Sequence, residues 1–396
     1  MRHVAGNTYD NNLPYLWAVF KQLFYQQHPV EIIFSKALEL FANQWLKEEF
    51  YLKVGATKYQ RSPNRKAYSC GYYRRKLISS KGSIILNVPR ARNMSIEYCL
   101  FEKYKRYTPE IEQIIIQSIL LGHSTRKARA FFKKILGDDA ISQQLATNIL
   151  RKYDFELERW KNRKIDRKVK ILVVDAMYLK GAIWGIKSAK PVLFAYGVYE
   201  DGTGEILDFE PARSESSNNW LIFLSRLYHR GLSNVELIVS DESASISDAI
   251  AMLWPTSKHQ LCLFHFLRNF DKKTYDLDKK LRRDLKADLQ EVFKAEDIGA
   301  FQQRLSIFLR KYRFLQQHKA IKYLLEHLEQ LTQFYSMPKH MQAIAKTTNR
   351  LERIFKEIKR RVKAFGRFPN SNSCRRWLFA LIVEELIPKF REVSHA

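Results

Sequence analysis

Two short apolar stretches that each end in an aspartate constrain the fold of this chain most. VKILVVD occupies residues 169–175, and VELIVSD occupies residues 235–241. Such short runs rich in β-branched and aliphatic residues are typical of strands that are buried on both faces of a sheet. A bare carboxylate is costly to bury, so Asp175 and Asp241 are expected at the carboxyl edge of the sheet, where α/β sheets bind ligands.

The neighbouring segments predict an α/β sheet with a hairpin edge. Further strands are expected at 192–199 and 205–211, after which helical periodicity, a strand and another helix follow. Three strands, then helix, strand, helix is the order of such a sheet. Residues 264 to about 345 have helical periodicity and no convincing strand, which predicts an all-helical block. Trp220 lies on the apolar stripe of a predicted helix and is interpreted as a core residue.

The N-terminal part has the pattern of a basic hairpin followed by three helices. Residues 66–92 alternate about a Ser79-Ser80-Lys81-Gly82 turn, after a helix predicted from about Pro29 to Tyr51. The helices after Ile111 resemble a helix-turn-helix, although a purely structural three-helix cluster is an equally good interpretation. The candidate DNA-binding residues here are Arg74, Arg75, Arg90, Arg92, Arg126, Lys127, Gln143, Gln144 and Arg151.

The charge of the chain indicates a polyanionic partner. There are 68 Lys and Arg residues against 41 Asp and Glu, which gives a formal charge of +27. An excess this large repels itself unless a polyanion is near, so nucleic acid is the expected partner, with a well-solvated basic surface as the alternative.

The cysteines and the apolar segments exclude several other protein classes. The four cysteines contain no Cys-x-x-Cys pair, which argues against a disulfide framework and a four-cysteine zinc site. No signal peptide and no apolar run of about 20 residues is found, so we expect a cytoplasmic, nucleoid-associated protein without a membrane partner.

Asp175 and Asp241 on one sheet indicate a site for two divalent cations, Mg²⁺ or Mn²⁺. Glu352, in TTNRLERIFKEIKRRV, is the candidate third ligand, because it lies beside the apolar stripe of its predicted helix. An ion pair with Lys356, four residues later, is an equally good interpretation. Glu357 is the competing ligand.

Six segments, taken in order, resemble the Mutator-like transposases and in particular their prokaryotic insertion-sequence branch. GYYRRKLISSKGSIILNVPRAR is similar to the family's N-terminal pattern, and LGHSTRKA with AISQQLATNIL to its helix-turn-helix region. VVDAMYLK and the block that ends in VELIVSDE resemble the segments of the two aspartates. LCLFHFLRN is similar to its Cys-x-x-His motif, and TTNRLERIFKEIKRRVKAFGRFPN to its glutamate segment.

The resemblance implies an α/β RNase H-like catalytic core that is interrupted by an all-helical insertion and preceded by an α+β and helical DNA-binding region. It places the acidic (DDE) triad on Asp175, Asp241 and Glu352, and the Cys-His motif on Cys262 and His265. We interpret this last pair as local packing rather than as a zinc site. Where the family commonly has Ala-His-x-Gly after the second aspartate, this chain has Glu242-Ser243-Ala244-Ser245. Glu242 is therefore a possible substitute ligand, with an exposed acid as the alternative.

The expected domains follow from these patterns. They are an α+β region with the basic hairpin (1–107), a helix-turn-helix-like domain (108–165), the first part of the core (166–263), the helical insertion (264–345) and the C-terminal core helices (346–396). Further candidate DNA contacts on the glutamate helix are Arg353, Arg360 and Arg361.

The activity implied is binding of terminal inverted repeats, cleavage at the element's ends and transfer of the 3′ ends to target DNA, with a homodimer or larger assembly on DNA. Two alternatives are a catalytically silent, transposase-derived DNA-binding regulator and another RNase H-fold nuclease such as a junction resolvase.

Overall fold

The chain divides into two compact units, Met1–Leu150 and Arg151–Ala396. The computed structural model describes residues 18, 21–26, 29–79, 82–103, 105–136, 142–180 and 188–386. No helix within these ranges is long and apolar enough to pass through a lipid bilayer. All three candidate metal-binding carboxylates belong to the second unit.

The first unit is a helix on a hairpin, followed by short helices, as the sequence predicts. Its elements are α1 (Val30–Val54), β1 (Ser69–Ser79), β2 (Gly82–Ala91), α2 (Pro109–Leu120), α3 (Thr125–Leu136) and α4 (Gln143–Arg151). Ser124 and Ser142 begin the last two helices, because their hydroxyls accept hydrogen bonds from the amides of Lys127 (3.2 Å) and Leu145 (3.0 Å). The predicted break at Gly137-Asp138-Asp139 lies outside the described residues.

The second unit contains a five-stranded sheet in the order β5-β4-β3-β6-β7. The strands are β3 (Val169–Leu179), β4 (Lys190–Tyr199), β5 (Gly204–Pro211), β6 (Leu237–Ser240) and β7 (Lys258–Leu261). β3, β4 and β5 pair antiparallel, whereas β6 and β7 join β3 in parallel. β7 was not predicted, because four residues that begin with exposed Lys258 and half-buried His259 do not make an apolar run.

Helices cover both faces of this sheet. On one face, α6 (Ser217–His229) and α7 (Ala244–Leu253) bury Trp220 and Ile250 against strand residues such as Leu172 and Ile238. The opposite face carries α5 (Tyr153–Lys161), α13 (Asn349–Phe365) and α14 (Ser371–Leu381). Because strand side chains alternate between faces, the odd-numbered residues of β3 from Ile171 onward point toward α13; the register shifts between Val169 and Ile171.

A half-buried carboxylate connects three helices to the edge strand β5. The side chain of Glu210 binds Lys161 of α5 (2.5 Å), Arg226 of α6 (3.1 Å) and Arg375 of α14. A half-buried acid with three cationic partners is well compensated, and Lys161 and Arg226 also pair with Asp208, at 3.5 and 3.7 Å.

Every described element between β7 and α13 is helical. This helical block, residues 263–345, contains α8 (Leu263–Lys273), α9 (Lys279–Val292), α10 (Ile298–Lys311), α11 (Lys319–Thr332) and α12 (Lys339–Ala345), together with two short 3₁₀ turns. It has its own apolar core, which includes Phe266, Leu289 and Leu324. A buried hydrogen bond anchors the block to the sheet, since the side-chain oxygen of Gln260 in β7 accepts from the amide of Phe334 (2.9 Å).

Trp220→Ala should lower the free energy of unfolding of the second unit by about 4 kcal/mol, because the indole is fully buried between α6 and the sheet. Trp220→Phe should cost only about 1–2 kcal/mol, since the indole nitrogen has no hydrogen-bond partner to lose. Urea denaturation followed by circular dichroism measures both. Equal destabilisation by the two variants would contradict a pure packing role.

Candidate active site

Asp175 and Asp241 lie at the same level on neighbouring strands. β3 and β6 are parallel with Val173 opposite Val239, so two further residues along each strand bring Asp175 level with Asp241 on the face toward α13. The prediction that Asp175 ends its strand is wrong, because β3 continues to Leu179 along β4. Since β6 ends one residue before Asp241, the two acids meet where the parallel ladder stops. Adjacent strands are about 4.8 Å apart, which keeps the two backbones close.

Glu352 approaches the same face from the first turn of α13. Phe355, one turn further along, contacts Phe194 of β4 with 5.1 Å between the ring centroids, and Phe194 is the cross-strand partner of Asp175. This packing directs the side of the helix that carries Glu352 toward β3. Its Oε1 atom lies 3.6 Å from Nε2 of His265.

The two alternatives for the glutamate are not favoured by the geometry. Within the described ranges, the ion-pair partner of Glu352 is His265 and not Lys356. Glu357 binds Arg360 and Arg361, and hydrogen bonds from Arg360, with the charge of both arginines, lower the pKa of Glu357 to about 2. Glu357 is therefore engaged in holding its own helix.

Cys262 and His265 stand at the turn from β7 into α8. The amide of Cys262 donates to the carbonyl of Ser240 (2.7 Å), and its thiol lies 3.4 Å from the amide and 3.5 Å from the hydroxyl of Thr348. Cys262 thus joins the end of β6, through its amide, to the start of α13, through its buried thiol. One helical turn later, His265 projects toward Glu352, so the Cys-x-x-His spacing connects the elements that carry the second and third carboxylates.

The electrostatics of the site are those of acids buried close together. Burial raises the pKa of Asp175, which is 5% exposed, to about 7; the charge of His265 opposes this shift and that of Asp241 adds to it. Burial likewise raises the pKa of Asp241, with His265 opposing and Glu242 adding. The Cys262 thiol, and then the carboxylates of Asp175 and Asp241, raise the pKa of His265 to about 9 against the effect of burial. His265 is therefore a cation at neutral pH.

Several buried polar atoms here have no hydrogen-bond partner. They are Oδ1 of Asp241, Oε1 of Glu352 and Nδ1 of His265. Among the described residues, no three His, Cys, Asp or Glu side chains already stand in a metal-coordinating arrangement. The three carboxylates are gathered around His265 without forming a finished chelate.

The candidate DNA-binding residues differ in their accessibility. Arg75 is held by the carbonyls of Glu102 and Lys105, and its guanidinium lies 4.0 Å from the ring centroid of Phe101. Arg361 is 2% exposed and bound by Glu357 and Glu385, so we leave both arginines out of the DNA surface. The side chain of Gln143 lies outside the described residues. The exposed candidates are Arg74, Arg90, Arg92, Arg126, Lys127, Gln144, Arg151, Arg353 and Arg360.

Some residues that support the site were not predicted to do so. The hydroxyl of Thr348, together with the amide of Ala176 (2.7 Å), favours the charged form of Asp175. The hydroxyl of Ser240 lies 2.8 Å from the carbonyl of Asp241. Polar side chains at strand ends and helix starts are too common in sequences to have indicated these roles.

The chain resembles known proteins over most of its length. The family model described as "Transposase, Mutator family" matches residues 20–390. The chain is 33% identical to the transposase for insertion sequence element ISRM5 of Rhizobium meliloti, over 86% of this chain and 84% of that protein. It is 27% identical to the transposase for IS256 in transposon Tn4001 of Staphylococcus aureus, over 86% and 87%, and 29% identical to that for IS406 of Burkholderia multivorans, over 88% and 89%.

Among solved structures, the chain aligns with the Drosophila P element transposase strand transfer complex at 12% identity, over 73% of this chain and 86% of that chain. The TM-score of 0.30 is too low to support a statement about the fold. The family match spans both units and all three candidate carboxylates, and the chain therefore belongs to the Mutator family of transposases.

Proposed function

We propose that this transposase is a metal-dependent DDE enzyme that binds the terminal inverted repeats of its element, cleaves at the ends and transfers the 3′ ends to target DNA. Asp175, Asp241 and Glu352 are its proposed metal ligands. The observation that carries the proposal is the convergence of these three acids. The paired residues of β3 and β6 end two positions before Asp175 and Asp241, and the first turn of α13 brings Glu352 to His265, whose pKa both aspartates raise.

The sheet supports an RNase H-like core. Three antiparallel strands followed by two parallel ones, in the order β5-β4-β3-β6-β7, have their aspartates on the central strand β3 and just after its parallel neighbour β6. In our proposal the helical block is an insertion between the second aspartate and Glu352, and α13 returns the chain to the sheet.

The donor set fits Mg²⁺ or Mn²⁺. Three carboxylates supply the hard oxygen ligands that these ions prefer, and Oδ1 of Asp241 and Oε1 of Glu352 accept no hydrogen bond and so have unused acceptor capacity. The pKa values of Asp175 and Asp241 are raised because too little positive charge surrounds these carboxylates to offset their burial, and bound cations would supply that charge. A pair of bound ions would supply activation of a water or 3′-hydroxyl and stabilisation of the leaving oxygen.

The protein's own residues prepare this chemistry. Asp175 and Asp241 offer oxygens from rigid strand positions, which lowers the ordering cost of ligand binding. His265 holds a proton close to Oε1 of Glu352 and adds a positive charge near which a phosphate is favoured.

The exposed face of α13 gives a path for DNA next to Glu352. Its exposed residues recur at helical spacing and are all basic over about 15 Å of helix: Arg353, Lys356, Lys359, Arg360 and Lys363. Such a row contacts phosphates without reading sequence. We assign recognition of the terminal repeats to the first unit, whose hairpin and helices expose Arg74, Arg90, Arg126 and Lys127. Because two ends must be brought together, the active assembly is proposed to be a homodimer or larger.

Asp175→Asn, Asp241→Asn and Glu352→Gln should each reduce Mg²⁺-dependent nicking of DNA that carries the repeats flanking the gene by about 10³-fold or more, with DNA binding retained. End-labelled duplexes and a gel-shift assay measure cleavage and binding. Glu326→Gln, which neutralises an exposed acid on α11, is the matched control and should cleave normally. Binding without cleavage by the wild type in both Mg²⁺ and Mn²⁺ would instead indicate a DNA-binding regulator. Nicking that does not depend on the repeats would indicate another nuclease.

Asp175→Asn should stabilise the metal-free protein at high pH. The pKa of Asp175 in the folded state, about 7, exceeds the unfolded value near 3.9, so stability from this group is complete below about pH 4 and is lost as the pH rises through about 7. In EDTA at pH 8 the variant should therefore melt roughly 4–8 °C above the wild type, with a smaller gain at pH 5.

Mg²⁺ should raise the melting temperature of the wild type but not that of Asp175→Asn, because only the former retains the full ligand set. Scanning fluorimetry measures both, with the exposed Asp248→Asn as control. The prediction for EDTA at pH 8 is contradicted if Asp175→Asn melts at or below the temperature of the wild type.

Replacing Lys356, Lys359 and Lys363 together by Gln should weaken DNA binding and lower the slope of log affinity against log salt by about 1 for each lysine. Fluorescence anisotropy with a labelled duplex across a salt series gives this slope. Lys258→Gln, at the opposite end of β7 from the site, should leave the slope unchanged. An unaltered slope in the triple variant would remove α13 from the DNA path.

A further inference from the structure

The side chain of Glu242, the residue after Asp241, is held by the helical block. The hydroxyl of Tyr323 in α11 donates to its Oε2 atom, and so does the side-chain amide of Asn269 in α8, at 3.1 Å. Nε2 of His327 lies 3.5 Å from its Oε1 atom. Both carboxylate oxygens of Glu242 are thus engaged by residues from two helices of the block.

These partners are themselves rigid. The ring of Tyr323 is 5% exposed and stacks on Phe266, with 4.9 Å between centroids and 10° between planes. The ammonium group of Lys273 lies 4.5 Å from the centre of the same ring, and Nδ1 of His327 lies 2.8 Å from the carbonyl of Tyr323. Burial, together with the hydrogen bond to Glu242, raises the pKa of Tyr323 well above its ordinary value, so the phenol keeps the proton that it donates.

The backbone of Asp241 is fixed from the other side. Its carbonyl accepts from the hydroxyl of Ser240 (2.8 Å) and from the amide of Ser243 (3.0 Å). Nε2 of His259 on β7 lies 2.8 Å from the Ser240 hydroxyl, and burial lowers the pKa of His259 to about 4. A neutral His259 with its proton on Nε2 donates to the Ser240 hydroxyl, and that hydroxyl donates to the carbonyl of Asp241.

We propose that Glu242 is a positioning residue: the hydrogen bonds from Tyr323 and Asn269 hold the Glu242 side chain, and the Glu242 backbone holds the Asp241 carboxylate in the orientation that binds the divalent cation. In this proposal the helical block, through Tyr323 and Asn269, helps to orient a ligand of the metal site. This inference rests on the proposed function, because it concerns how Asp241 acts as a metal ligand.

The alternative role for Glu242, that of an extra metal ligand, requires free carboxylate oxygens. Coordination would have to break the contacts with Tyr323, Asn269 and His327 and leave their polar groups without partners in a half-buried place. The two roles predict different behaviour of Tyr323→Phe, which removes only the hydroxyl and keeps the stacked ring.

The test is binding of Mn²⁺ to the full-length chain, measured by electron paramagnetic resonance of the free ion, for the wild type, Tyr323→Phe, Glu242→Gln, the double variant and Asp241→Asn. Tyr323→Phe and Glu242→Gln should each weaken Mn²⁺ binding about tenfold, as residues that orient metal ligands do. The double variant should bind no more weakly than Glu242→Gln alone, because both changes remove the same interaction.

Tyr312→Phe is the matched control. Its hydroxyl also donates to a carboxylate within the helical block, that of Asp288 at 2.7 Å, but away from Asp241. It should melt at a temperature similar to that of Tyr323→Phe and bind Mn²⁺ like the wild type. This comparison separates positioning of Asp241 from general stabilisation of the block. If Glu242→Gln does not fold, the Mn²⁺ affinity of Tyr323→Phe by itself tests the inference.

The outcomes distinguish the inference from the function on which it rests. If the wild type binds no Mn²⁺, or Asp241→Asn binds it equally well, the proposed function and this inference fail together. If Asp241→Asn abolishes binding but Tyr323→Phe binds like the wild type, the inference alone is overturned. A Glu242→Gln variant as defective as Asp241→Asn, beside a normal Tyr323→Phe, would make Glu242 a ligand and also overturn it.

Discussion

Two neighbouring carboxylates, buried Asp175 and half-buried Asp241, are the constraint around which the second unit is built. Asp175 and Asp241 are level on adjacent strands, and each resists ionisation because burial and a neighbouring negative charge both favour the protonated form. The fold supplies only part of the missing positive charge, through His265, and part of the missing hydrogen bonds, through Thr348. A site that remains short of positive charge is a site that favours cations, and the same shortage costs stability when no cation is bound.

The elements near this site both pack against the rest of the unit and place a side chain next to the carboxylates. α13 packs Phe355 against the sheet, brings Glu352 to His265 on the same side and exposes a row of basic residues on the other. The turn after β7 uses Cys262 to join the end of β6 to the start of α13. The helical block reaches the residue after Asp241 through Tyr323. Elements from distant parts of the sequence therefore fix one another around the carboxylates.

The sequence was sufficient for the parts of this site that local pattern encodes. Asp175 and Asp241 were predicted from apolar runs, since a buried strand that meets an acid is a strong local signal. Glu352 could not be separated from Glu357 and the Lys356 pairing by spacing; the resemblance to a family selected it. β7 was not predicted because its burial comes from neighbouring elements rather than from its own composition. The extension of β3 to Leu179 was not predicted either, because it depends on pairing with β4.

Contacts over long sequence distances were beyond prediction for a different reason. The bond between Glu242 and Tyr323 joins residues 81 positions apart, and nothing in either segment indicates the other. Likewise, Arg361 in a basic helix looks like a DNA contact, yet its side chain is buried between Glu357 and Glu385. Periodicity gives the face of a helix, whereas the partner of a long side chain depends on the tertiary arrangement.

The most direct test of the account is anomalous diffraction from crystals of the protein bound to its end DNA and Mn²⁺. Two anomalous peaks about 4 Å apart, coordinated by Asp175, Asp241 and Glu352, are the predicted result. Mn²⁺ bound elsewhere on the protein, with no peak within coordinating distance of these three carboxylates, would contradict the central claim.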